Sequence, residues 1–358
     1  MQAYFAPEQM AHDPKQFMWE GRLCDPKDVA ERTQALLAAL RTLHIDVHEP
    51  DDYGVTPAAA VHASDYLAFL AHAYEEWQTL SNPGMEVLGS HSPYYNARVE
   101  SLARPPCPST SIVAKAGYYL SDLSSPIGPH TYTSALRSTH SAVAAARAVR
   151  EGASSAYALC RPSGHHVRHD CAAGFCYLNN GAIAVAQLRE KFARIAVLDI
   201  DVHHGDGTQQ IFYRRDDVLT ISLHADPIDY YPFFTGYASE TGHGAGQGYN
   251  LNLPLPRGTE DTVWLAHFAH ALERVRTYKP DALVIALGFD AHAQDPLGVL
   301  DLSNECFRAV AAQIRQLSLP TVLVQEGGYA VDHIGASLTA FLEGFLERRP
   351  TGLPSPRR

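Results

Sequence analysis

Residues 194–209, RIAVLDIDVHHGDGTQ, place Asp199, Asp201, His203, His204 and Asp206 directly after the apolar run 195–198. Buried carboxylates and imidazoles at that density cost on the order of several kcal/mol for each unpaired charge, so the cluster calls for a positive partner. A divalent metal is such a partner. The oxygen and nitrogen donors suit zinc, iron(II) or manganese rather than the thiolate sites of structural zinc. Asp201 and His203 are two apart in an extended stretch, so both side chains are expected on one side of a sheet, as a ligand pair.

Three other segments carry chemistry-bearing residues after short apolar runs. CRPSGHHVRHD holds His165 and His166, GFDAHAQDPLG holds Asp290, and QEGGYA holds Tyr329. The preceding runs, 155–159, 282–287 and 321–324, read as buried strands, like 195–200 and 218–223. Helical patterns at 132–150, 178–190, 209–213, 262–277, 304–316 and 337–346 alternate with them. That alternation predicts an α/β fold, a single domain over 1–358 built on a mostly parallel sheet with helices on both faces. Parallel strands all end on one side, so the four segments are expected to meet at one sheet edge.

Upstream, the sequence predicts an edge strand at 3–5, a helix over 26–43 capped by Asp25, and a helix over 58–77. Between 80 and 111 the pattern fails among seven interruptions, Pro83, Gly84, Gly89, Pro93, Pro105, Pro106 and Pro108. A long loop insertion is expected there. The tail 350–358 is expected to fray.

The chain of 358 residues has a formal net charge of −11 and no basic stripe, which argues against nucleic-acid binding. No run of about 18 apolar residues offers a membrane span. No basic segment followed by an apolar one marks a secretory signal, so a cytoplasmic location is expected. The six cysteines lack metal or disulfide spacing and are expected to be reduced, with Cys171 and Cys176 buried.

Taken together, RPSGHH, GFCYLNN at 174–180, LDIDVHHGDGTQ, GFDAHAQDPLG and EGGY resemble the zinc-dependent histone deacetylase family of the arginase-deacetylase superfamily. GYASETGHGAG at 236–246 and EGGYAVDHIG at 326–335 are most similar to the bacterial acetylpolyamine amidohydrolases. The resemblance implies one Zn²⁺ per chain on Asp201, His203 and Asp290. It implies His166 as general base and then acid, with His165 supplying positive charge. Asp199 would stand behind His165, Asp206 behind His166, and Tyr329 would donate to the oxyanion. A structural K⁺ would be held by Asp199, Ser222 and backbone carbonyls including that of Leu223. Phe175 and Tyr231 would form an apolar slot around a linear acyl amide, with Gly174 offering a carbonyl, and the 80–111 loop would build a homodimer. Where the polyamine enzymes carry an acidic residue for the distal ammonium, Ser124 falls in this chain, with Asp122 two positions away. Ser163 replaces the family's second proline.

The implied activity is hydrolysis of small N-acyl amines, with acetylated polyamines leading. Other small or xenobiotic amides, or protein acyl-lysine, are alternatives on the same fold. A binuclear manganese ureohydrolase would need further bridging ligands beyond the single late Asp290. A catalytically silent acyl-binding protein would not need the complete ligand, base and tyrosine set.

Overall fold

The computed structural model describes residues 1–92 and 104–346. In chain order the elements begin with β1 (Gln2–Tyr4), the hairpin strands β2 (Phe17–Trp19) and β3 (Arg22–Cys24), α1 (Ala30–Thr42), β4 (Val47–His48), α2 (Thr56–Ala59) and α3 (Ser64–Trp77). They continue with α4 (Ile112–Tyr119), α5 (Thr131–Arg150), β5 (Ser155–Ala158), α6 (Asn180–Leu188), β6 (Ile195–Asp199), α7 (Asp206–Phe212) and β7 (Val218–Ala225). The last are β8 (Asn250–Leu255), α8 (Asp261–Tyr278), β9 (Ala282–Leu287), α9 (Asn304–Gln316), β10 (Thr321–Gln325) and α10 (Val331–Phe345).

Eight strands form one sheet in the order β4-β1-β5-β10-β9-β6-β7-β8. Every neighbouring pair in it is parallel. The central strands alternate between two cores. Leu198, Leu283, Ile285, Leu287 and Leu323 pack under α1, α8, α9 and α10, where Leu40, Phe268, Phe307 and Phe341 are buried. Val197, Val284, Val322 and Val324 face the other way, toward Val143 of α5 and Ile183 of α6. This two-residue period with both faces covered is why these strands read as continuous apolar runs. Each fully buried Leu, Ile or Phe contributes roughly 1.5–3 kcal/mol, which fixes the strand ends that carry the polar residues.

The parallel α/β fold agrees with the sequence reading, and several local expectations are corrected. β1 is not the edge: the short β4 pairs outside it, Ala3 against Val47. The first helix begins at Ala30 with Val29 at its N-cap rather than Asp25. The nearby carboxylate, Asp28, is instead buried between the guanidinium groups of Arg32 and Arg161. The 58–77 pattern divides into α2 and α3. β8, α4 and the β2–β3 hairpin were not expected; β8 mixes buried and half-buried positions through NLNLPL and carries two asparagines and a proline, so it lacks a continuous apolar signal. Of the 80–111 insertion, 93–103 lie outside the described residues, and the described parts hold no helix or named strand. The 350–358 tail also lies outside them.

Candidate active site and metal centre

The four expected segments leave β5, β6, β9 and β10, and these are consecutive in the sheet as β5-β10-β9-β6. Asp199 is the last residue of β6. Asp201 and His203 lie beyond the strand, so strand alternation does not orient them. Successive turns do: Asp201 N donates to Asp199 Oδ1 at 3.1 Å and His203 N to Asp201 Oδ1 at 2.9 Å. Short acidic side chains that capture a backbone N–H two residues on end the strand and aim the next ligand.

Asp201, His203 and Asp290 come together: one ligand atom from each lies within 4.8 Å of the others, and all three side chains are buried. His203 Nδ1 is 3.2 Å from an oxygen of each carboxylate. The second oxygens are anchored, Asp201 Oδ2 by Gly327 N and Asp290 Oδ1 by Val202 N, both at 2.8 Å. Gly327 has to be glycine, because a Cβ there would lie 2.1 Å from Asp290 Oδ2. Burial disfavours the charges, and the nearby Asp201 carboxylate pushes Asp290 upward. His203, although buried, is drawn up to about 9 by its two carboxylate neighbours. A site that must hold a proton to relieve its negative charge is suited to a small divalent cation, and the donor set fits zinc.

His165 and His166 lie against one another with ring centroids 4.1 Å apart and planes tilted by 48°, yet their electrostatics diverge. His165 Nδ1 meets Asp199 Oδ2 at 2.9 Å. Burial opposes its charge, but Asp201 and Asp199 outweigh that, leaving its pKa well above 6.5. For His166, burial and then the charge of His165 lower the pKa to about 4, so its ring is neutral at neutral pH. His166 Nδ1 meets Asp206 Oδ1 at 2.8 Å, and Arg168 places Nε and Nη2 on Asp206 Oδ2 at 3.1 and 2.9 Å. Against burial, Arg168 and then His166 hold Asp206 well below the usual carboxylate range.

Tyr329 follows β10, buried to 8% exposure. Its backbone N donates to Asp295 Oδ2 at 2.6 Å, and the Arg32 guanidinium lies 4.6 Å from its ring centroid. Glu326 Oε2 accepts from Gly164 N and His165 N, joining the QEGGYA segment to the histidine pair.

The expected substrate-slot residues stand against these groups. Tyr231 lies edge-on to His166 at 5.0 Å, while Phe175 sits edge-on to Tyr329 at 5.6 Å. Gly174, at φ +53°, lies so close that a Cβ would be 2.4 Å from His166 Cδ2. Asp122, not the Ser124 side chain, is the acidic group at this wall. It accepts from the Tyr231 hydroxyl at 2.7 Å, Gly174 N at 3.1 Å and Ser124 N at 2.9 Å. Burial raises its pKa despite those donors. A cavity of about 730 Å³ lies alongside, lined by Asp122, Arg168, Asp206, Tyr231, Phe233 and Arg257 among others.

Of the residues expected around K⁺, Asp199 and Ser222 are register partners on β6 and β7. The Ser222 hydroxyl lies 2.8 Å from His224 Nδ1. Cys171 and Cys176 are buried, and all six cysteines are unpaired. No helix among the described residues is long and apolar enough to cross a membrane.

Sequence reasoning missed Arg168, Asp295 and Tyr230. Arg168 and Asp295 lie inside quoted motifs, and their acid–base type was the available signal. Tyr230 offered none, since a tyrosine pair before proline reads equally well as packing.

Comparison with known proteins accords with this geometry. The family model described as "Histone deacetylase domain" matches residues 26–345. The acetylpolyamine amidohydrolase of Burkholderia pseudomallei is 44% identical over 346 residues, covering 96% of this chain and 98% of the relative. Acetylpolyamine amidohydrolase 1 of Pseudomonas aeruginosa is 38% identical, with 96% and 99% covered. A crystal structure of acetylpolyamine aminohydrolase from Burkholderia pseudomallei superimposes with a TM-score of 0.91 at 44% identity, covering 96% of this chain and 98% of that one. The HDA15 HD domain does so with a TM-score of 0.77 at 25% identity, covering 97% and 91%. Matched by that family model over residues 26–345 and sharing nearly its whole length with these proteins, the chain belongs to the histone deacetylase domain family.

Proposed function

We propose that the protein is a zinc-dependent amidohydrolase that removes acyl groups from small amines, acetylated polyamines first among them. The observation that carries this reading is the convergence of Asp201, His203 and Asp290 beside a neutral, Asp206-bound His166. A zinc ion on those ligands supplies Lewis acidity toward water and the amide carbonyl. His166 accepts the proton of the attacking water at Nε2 and returns it to the departing amine. Charged His165 and the Tyr329 hydroxyl favour the negative charge that develops on the carbonyl oxygen. Phe175 and Tyr231 flank the acyl-amide chain.

The relatives named acetylpolyamine amidohydrolase support the polyamine assignment. One observation favours a second reading, hydrolysis of other small amides. Arg168 and Arg257 line the cavity, and Asp122 already accepts three protein donors, which leaves a distal ammonium less compensation. Acetylputrescine, an acetyl-lysine peptide and a neutral N-alkyl acetamide assayed side by side, before and after zinc is stripped, decide the matter. Turnover of the neutral amide alone defeats the polyamine assignment, and full activity without metal defeats the hydrolytic mechanism.

The register pairing of Asp199 with Ser222 supports the K⁺ site with the Leu223 carbonyl. The homodimer through the 80–111 insertion is carried over from the resemblance to the polyamine enzymes. Six unpaired cysteines support a reducing, cytoplasmic location. The two cores share one sheet, which supports treating 1–358 as one domain.

A further inference from the structure

Tyr230 precedes the slot residue Tyr231, but its side chain turns inward and is only 4% exposed. Its ring stacks on that of His203, 5.1 Å between centroids and 13° between planes. Its hydroxyl oxygen is 3.0 Å from His203 Nε2 and also lies against the backbone carbonyl of Leu297. A phenol has one hydrogen to give. The Leu297 carbonyl can only accept, so the Tyr230 O–H donates there, and its oxygen is left to accept from His203. Nε2 must then carry the imidazole hydrogen. That leaves Nδ1, the nitrogen 3.2 Å from Asp201 and Asp290, as the one whose proton a metal would replace.

We propose that Tyr230 is a positioning residue that sets the tautomer and ring orientation of His203 as an Nδ1 metal ligand. This rests on the zinc reading above. The segment after β9 supplies more than Asp290. Asp295 Oδ1 accepts from Leu297 N at 2.9 Å, while its other oxygen holds Tyr329 N and Ala330 N. Asp290, the acceptor of the His203–Tyr230 relay at Leu297, and the anchor of the Tyr329 backbone at Asp295 therefore lie within the segment 290–297. A histidine ligand whose distal N–H is held binds metal more tightly, because less orientational freedom is lost on coordination and the wrong tautomer is excluded.

Tyr230→Phe keeps the stacked ring and removes only the hydroxyl. The test measures zinc affinity by chelator competition, the visible absorption of the cobalt(II)-loaded protein, and the melting temperature of the metal-free form. Weakening of zinc binding by about 10- to 100-fold is expected, together with an altered cobalt spectrum. A residue that served packing alone would lower the metal-free melting temperature and leave both metal readouts unchanged, and that result overturns the proposal. Should the variant fail to fold, NMR of histidine-labelled, zinc-loaded wild-type protein decides it. A protonated Nε2 on His203 is expected, and a protonated Nδ1 overturns the assignment. If the wild type binds no zinc through His203 at all, the metal reading itself has failed, which is a different outcome from equal affinity in the two proteins.

Discussion

His166 Nδ1 and Asp206 Oδ1 stand 2.8 Å apart, and both side chains are buried. The carboxylate fixes which nitrogen bears the hydrogen, leaving Nε2 unprotonated. Burial and charged His165 keep the ring neutral. Replacing His166 with alanine should lower kcat by about 10²- to 10⁴-fold, the usual contribution of a positioned base. Zinc content should remain near one per chain, since His166 is not among the ligands. Turnover close to wild type, with metal content checked by elemental analysis, would remove His166 from the mechanism.

Arg168 acts on that same pair from the opposite side, through two contacts to Asp206 Oδ2. Its charge stabilises the ionised carboxylate and disfavours a proton on the His166–Asp206 unit. In Arg168→Met that opposition is gone, so the unit takes up a proton at higher pH. The acid limb of the kcat/KM profile should move upward in pH while zinc content is unchanged. A limb that stays in place would show that Arg168 only fills the cavity wall.

Asp290 joins Asp201 and His203 in the candidate metal site, reached from two separate strands, β6 and β9. Asp290→Ala removes one carboxylate and leaves Asp201 and His203 with an open side. Stoichiometric zinc should be lost and activity should fall with it, whereas the wild type stripped by a chelator should recover on adding zinc. An Asp290→Ala protein that retains one tightly held zinc and full activity would place the metal elsewhere.

What could be read in advance followed from strong periodicity. The runs ending at Leu287 and Val324 are apolar on both faces because helices cover both, and the alternation of such runs with helices specifies the parallel sheet. Acids and imidazoles just beyond those runs were legible because nothing but chemistry or a costly burial explains them there. The orientation of Asp201 and His203 was not, because it comes from side chains that capture backbone N–H groups past the strand end. The parts played by Tyr230 and Asp122 depend on contacts across 67 and 109 positions of sequence, which no local pattern records.

Asp122 already serves as an acceptor for three donors of the protein itself. Its carboxylate ties Tyr231, Gly174 and the backbone of Ser124 into one wall. Asp122→Ala leaves those donors without their acceptor, at roughly 1–3 kcal/mol for a buried group. The resulting loss in kcat/KM should be similar for acetylputrescine and for a neutral N-alkyl acetamide. A loss confined to acetylputrescine would identify Asp122 as the ammonium receptor instead.

His62 makes stability depend on pH. Its Nε2 accepts from Asn179 N at 2.9 Å, at the start of α6, while Nδ1 faces the carbonyls of Arg168 and His169 at 3.1 and 3.2 Å. A proton on Nε2 would oppose the Asn179 N–H. Burial is the first cause that lowers its pKa, from 6.5 to about 4. Because the folded value lies below the unfolded one, the contribution is complete above about pH 6.5 and is lost as pH falls toward about 4. The difference is worth roughly 3 kcal/mol by linkage. Urea midpoints of zinc-loaded wild type and His62→Gln, followed across that window, should converge as the pH drops, since glutamine has no proton to gain. Parallel curves would mean that His62 has the same pKa in the folded and unfolded protein.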